Sequence, residues 1–239
     1  MFWRTDPRTI VPDAASELAA LAGDALKTLV VYGSAAGGGF RAAHSDVNLA
    51  VVLEPLEFVH LQRIAQWWTR WRRHRVAAPL VLSRVELERS RDVFPLELLD
   101  IRARHRTLAG AELFADLVLD AEAVRAECER EAKGKLLRLR ALYLELAGST
   151  RHLHALMLDS RKTFLHVVRG LLYLRGEPWD GHGVDVVRAF EKHYGCPLPV
   201  LAALGEHAEA RTTAERFAAY LAEIERLATI ADREASTRA

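Results

Sequence analysis

Apolar and polar positions follow two different periods along this chain, and the change of period divides it. Up to about residue 119, short apolar runs bounded by turn residues alternate with segments of helical spacing. Leu18, Leu21 and Ala25 lie along one side of a first helix, with Asp13 as its expected N-cap. Leu29, Val30 and Val31 make a run apolar on both sides, as expected of a strand buried on both faces. A second strand is expected over 47–53. Pro55 suits the first turn of the following helix, where Phe58, Leu61, Ile64 or Ala65, Trp68 and Trp71 recur at helical spacing on the expected inner side. The pattern then predicts a third strand over 80–82, a polar helical connector over 84–91, and a fourth strand over 95–101 with Asp100 near its end.

Beyond residue 120 only the helical period remains. Val124, Cys128, Ala132, Leu136, Leu139, Tyr143 and Ala147 form one stripe, broken at Gly148-Ser149. A second long helix carries Leu153, Met157, Phe164, Val168 and Leu171 inward and stops at Gly176. Shorter helices are expected about 184–194 and after Pro199, and a last one over 213–233. The alternation of strands and helices is therefore expected to form one α/β domain over 1–119, followed by an all-α helical bundle over 120–239.

Composition narrows the partners. Half the residues are hydrophobic, 27% are charged and the formal net charge is +1. No global field draws the chain to nucleic acid or an anionic membrane, so neither is an expected partner. Two cysteines support neither a disulfide framework nor a zinc site. No apolar run approaches the roughly 18 residues that span a bilayer, and the first residues lack a signal-peptide core, so a cytoplasmic protein is expected. The segment WWTRWRRHR, 67–75, combines stacking rings with cations. It reads better as a packing helix, with Trp68 and Trp71 inward and an arginine stacked on tryptophan. Neither a Gly-x-Ser-x-Gly elbow nor a His-Glu-x-x-His pair occurs, which removes the common hydrolase readings.

The chemistry concentrates in TLVVYGSAAGGGFRAAHSDVNLAVVLE, 28–54. A strand runs into Gly33-Ser34, and the loop beyond holds Gly37, Gly38 and Gly39. Glycines there let backbone N–H groups approach phosphate oxygens, with the Ser34 hydroxyl beside them. Asp46 and Asn48 are alternate residues entering a strand, so their side chains share a face. Asp100 in an apolar run needs a partner, either a bound group or an arginine such as Arg102 or Arg104.

Gly33-Ser34, eleven residues, then Asp46-Val47-Asn48 resembles the signature of the DNA-polymerase-β-like nucleotidyltransferase superfamily. The segments VFPLELLDIRARHRTLAG, 93–110, and CEREAKGKLLRLR, from Cys128, are similar to a bacterial subgroup of predicted nucleotidyltransferases with a C-terminal helical domain. The resemblance implies an α+β fold class, with a nucleotidyltransferase-like mixed sheet and flanking helices ahead of the all-α helical bundle, a nucleoside triphosphate as ligand and Mg2+ as cofactor. It assigns phosphate binding to Gly33, Ser34, Gly37, Gly38 and Gly39, metal binding to Asp46, Asn48 and Asp100, and catalysis to Asp46 and Asp100. Glu97, on the other side of the expected strand, suits the third-carboxylate role less well. Two cations about 4 Å apart would be shared by carboxylates on adjacent strands.

Asn48 departs from that pattern. It stands where the second acid belongs, and an amide oxygen carries no charge, whereas magnesium sites lean on carboxylates. Losing one anion from a two-cation site forfeits on the order of a thousandfold in rate. Three readings follow: a degenerate motif with a retained nucleotide or phosphate pocket and weak or no catalysis; an active Mg2+-dependent transferase moving a nucleoside monophosphate to a hydroxyl, with ligands such as His44 or Glu54; or a non-catalytic interaction or regulatory module. The acceptor and any protein partner are not specified by the sequence.

Overall fold

A computed structural model of the chain describes residues 7–37, 45–146, 149–177, 179–204 and 213–234. Gly38, Gly39 and His44 lie outside the described residues, as do Ala147 and Gly148. The chain divides into two compact units, 1–93 with 98–118, and 94–97 with 119–239.

The first unit is built on a four-stranded mixed sheet. Its strands are β1 (Leu26–Tyr32), β2 (Asn48–Leu53), β3 (Leu80–Ser83) and β4 (His105–Gly110), in the order β3-β2-β1-β4. β1 pairs antiparallel with β2 and β4, and β2 pairs parallel with β3. The parallel pair needs a crossover, which α2 (Phe58–Trp71) supplies. α1 (Val11–Ala22) and α2 pack with Leu29, Val31, Val47, Leu49, Val51 and Leu53 in one buried cluster. These are alternate strand residues, so they define one face of the sheet.

Two expectations are corrected here. Residues 95–101 are not a strand: α4 (Pro95–Ala103) is a helix, following the short α3 (Arg84–Arg89), and the fourth strand lies after it. Leu96, Leu98, Leu99, Asp100 and Ile101 are all buried, and a short run buried all round shows neither the period of a strand nor that of a helix. The helix suits its composition, since leucine and glutamate favour helix and proline fits the first turn.

The inner face of α2 is also rotated from its expected position. Ile64 and Trp67 are buried, Trp68 and Trp71 are half-buried, and Phe58 and Leu61 are exposed. The Trp67 indole donates to the Ala14 carbonyl, Trp68 to Val76 O and Trp71 to Glu17. The Arg72 guanidinium lies over the Trp68 ring, 5.7 Å from its centroid, and Arg70 pairs with Glu17. The aromatic and basic run is thus engaged with its own unit, as a packing helix requires.

The second unit is helical. α5 (Ala121–Leu146), α6 (Thr150–Arg175), α7 (Gly183–Tyr194), α8 (Pro199–Ala203) and α9 (Ala214–Arg233) follow one another, with no strand among the described residues. The stripe Val124, Cys128, Ala132, Leu136 and Leu139 is buried as its spacing predicts. The Glu223 carboxylate of α9 accepts the Val200 and Leu201 N–H groups, so a buried acid caps α8. Lys133, Lys135 and Arg140 pair with Asp232, Asp159 and Glu225, which accounts for these cations within the bundle. No helix among the described residues is long and apolar enough to cross a membrane.

Candidate functional site

The site region lies at one end of the first unit's sheet. Tyr32, the last residue of β1, stands opposite Asn48 of β2 on one side and His105 of β4 on the other. Paired residues of neighbouring strands present their side chains to the same face. Val47 and Leu49 belong to the core with α1 and α2, so Asp46, Asn48, Tyr32 and His105 face the opposite way. The sequence expectation that Asp46 and Asn48 share a face is therefore met by this register.

Gly33 turns the chain immediately after β1 with φ +71°. That left-handed backbone favours glycine. Its N–H donates to the Arg104 carbonyl at 2.8 Å, and its own carbonyl accepts from the Ala36 and Gly37 N–H groups at 3.2 Å. A Cβ on Gly33 would lie 3.5 Å from Asn48 Nδ2, and one on Gly37 would lie 3.8 Å from Arg104 Cδ. The glycine turn is thus bordered by the Asn48 amide on one strand and by Arg104 just before the other. Ser34 is half-buried within the same turn.

Each candidate acid is held by an arginine. Asp46 precedes β2, its side chain 56% exposed, and its Oδ1 accepts from Arg75 Nε at 3.1 Å. Asp100 is buried on α4 and accepts from Arg104 at 2.7 Å, one helical turn away. The arginine alternative for Asp100 is the one realised. Asp100 therefore reaches the glycine turn as the partner of Arg104, not as a residue of a sheet strand.

β4, the strand beside β1, has the sequence His105-Arg106-Thr107-Leu108-Ala109-Gly110 and contributes no acid. The acid nearest to it is Glu112, just past its end. The His105 ring nitrogens lie 2.9 Å from Ile101 O and 2.8 Å from Glu112 Oε1. Glu112 also accepts from the Thr107 hydroxyl and from the Phe114 and Ala115 N–H groups. Burial pushes the Glu112 pKa up, but these hydrogen bonds and the nearby His105 outweigh it and hold it at about 2. Sequence reading passed over Arg75, Glu112 and His105. The Asp-x-x-x-Arg spacing that suits a helix marks Asp100 and Arg104, not these three residues.

These residues do not fit the two-cation centre implied by the resemblance. Asp46 carries a guanidinium, position 48 an amide, β4 no carboxylate, and Asp100 a second guanidinium. Among the described residues no three His, Cys, Asp or Glu side chains are grouped to hold a metal. Glu54 follows the far end of β2, about 20 Å from Asn48 at the usual strand rise, and is no substitute ligand.

No family model and no curated protein matches the chain. Among solved structures it is similar to spectinomycin adenyltransferase AAD(9) from Enterococcus faecialis, determined with ATP and spectinomycin. The two share 12% identity over 94% of this chain and 99% of that one, with a TM-score of 0.49. A likeness of this degree assigns neither activity nor site residues.

Proposed function

We propose that the first unit is a polymerase-β-like nucleotidyltransferase domain whose metal motif has decayed, and that it keeps a pocket for a nucleoside triphosphate with little or no group transfer. The observation that carries this reading is the Gly33 turn: a left-handed glycine, φ +71°, set between Asn48 and Arg104 at the end of β1. A turn of that kind lets a phosphate approach the backbone closely at Gly33, with the Ser34 hydroxyl beside it, while the Gly33, Ala36 and Gly37 N–H groups donate within the protein. Arg104 supplies a guanidinium at the rim, suited to a phosphate group. Catalysis is the part reduced, because Asp46 and Asp100 are held in ion pairs and β4, the strand beside β1, carries no carboxylate to take a proton from an acceptor hydroxyl.

Calorimetric titration of ATP, GTP, CTP and UTP, together with an assay of pyrophosphate release, tests this reading. Binding without pyrophosphate release is expected, and Gly33→Val should weaken it by forcing a β-branched residue into a left-handed backbone. Absence of binding by all four nucleotides overturns the pocket. Release of pyrophosphate that is lost in Asp46→Ala would instead establish an active transferase.

A further inference from the structure

We infer that Arg75 takes the place of the divalent cation at Asp46, so that this site binds a nucleoside triphosphate in its metal-free form. The inference rests on the nucleotide pocket proposed above and concerns what balances its charge.

Arg75 is unusual in its backbone before its side chain is considered. It is the one non-glycine with positive φ among the described residues, at +66°. L-residues rarely adopt that conformation, and such outliers concentrate where a site fixes them. Two backbone hydrogen bonds hold it: its N–H donates to Arg72 O at 3.1 Å, and its carbonyl accepts from Val47 N at 2.8 Å. The chain around Arg75 is thereby clamped to the residue between Asp46 and Asn48. The side chain then turns to Asp46 and donates from Nε at 3.1 Å. Backbone and side chain together place one fixed positive charge at the acid that would be the metal's principal ligand.

The hydrogen-bonding capacity agrees. Asp46 with Arg75 and Asp100 with Arg104 make two acids and two cations. Two divalent ions would add four positive charges beside two guanidinium groups, and the acids would have to give up their arginines to receive them. A phosphate oxygen needs no such exchange, because a guanidinium carries five N–H donors and can keep its carboxylate while donating to a second acceptor. The Arg104 Nε is buried and has no hydrogen-bond partner, next to the turn whose Gly37 its Cδ approaches. A phosphate oxygen is a chemically suitable acceptor for it.

The test compares the affinity of the full chain for ATP in EDTA and in excess Mg2+, for the wild type, Arg75→Gly and Arg75→Lys. Glycine removes the charge while accepting φ +66° without strain, so a loss of binding in Arg75→Gly is not a loss of fold; thermal unfolding checks this directly. Expected results are binding in EDTA at least as tight as in Mg2+, about tenfold or more weakening in Arg75→Gly under EDTA, and partial recovery in Arg75→Lys. Binding that appears only with Mg2+, or an Arg75→Gly variant that binds as tightly in EDTA as the wild type, overturns the inference and leaves the pocket standing. Failure of ATP, GTP, CTP and UTP to bind in either medium overturns both.

Discussion

Replacing Asn48 by aspartate probes the site by restoring the charge that the sequence pattern lacks. Position 48 opens β2 opposite Tyr32, and Asp46 lies two residues earlier on the same face. Alternate residues on a strand are about 7 Å apart. Two carboxylates at that separation repel by roughly 2 kcal/mol at an effective dielectric near 20. The Asp46 side chain is 56% exposed and paired with Arg75, so solvent and the guanidinium reduce this to about 1 kcal/mol. In EDTA the Asn48→Asp protein should therefore melt about 2–4 °C below the wild type. A divalent ion would bridge the new pair: with a dissociation constant of about 0.1 mM, 10 mM Mg2+ would add about 2.7 kcal/mol, more than reversing the loss. Differential scanning calorimetry of both proteins, with EDTA and with Mg2+, reads the effect directly. Equal melting temperatures for the variant in the two media would refute the idea that Asp46 and position 48 form the remains of a metal site.

Further outcomes follow from single contacts. Gly170 lies where a Cβ would meet Cys128 Sγ at 2.4 Å and Leu96 Cδ2 at 2.6 Å, whereas a Cβ on Gly134 meets nothing within 4 Å. Chemical denaturation should show Gly170→Ala destabilised by about 1–3 kcal/mol through overpacking, and Gly134→Ala stabilised by about 0.5–1 kcal/mol through helix propensity. The Glu112 carboxyl, at about 2 in the fold against an ordinary 4.5, contributes stability that is complete above pH 4.5 and lost as pH falls toward 2. At a side chain 42% exposed, solvent screening brings that contribution to about 1 kcal/mol. The stability difference between wild type and Glu112→Gln, followed by urea unfolding across pH, should be largest near pH 6 and close by pH 2. The Cys128 thiol, its pKa pushed up by complete burial, should resist alkylation by iodoacetamide in the folded protein and react once the chain is unfolded.

What the sequence determined by itself is what local periodicity and backbone chemistry can carry. The two periods place strands alternating with helices ahead of a helical region, and the stripe from Val124 to Leu139 is buried as its spacing requires. Alternation along a strand was enough to set Asp46 and Asn48 on one face, and a glycine after an apolar strand was enough to mark the turn at Gly33. Tertiary structure decided the matters that depend on partners distant in the chain. Whether PLELLDI is strand or helix was undecidable from a short run buried on every side, and its helical form moved Asp100 off the sheet. Which tryptophan is buried depended on how α2 rotates against α1, since Trp67 is fixed by a hydrogen bond to Ala14, 53 residues earlier. The pairing of Asp46 with Arg75, 29 residues away, has no local signature at all. A residue's own type states which charge it brings to a site. Only the folded neighbourhood states which opposite charge meets it, and here that is Arg75 at Asp46 and Arg104 at Asp100.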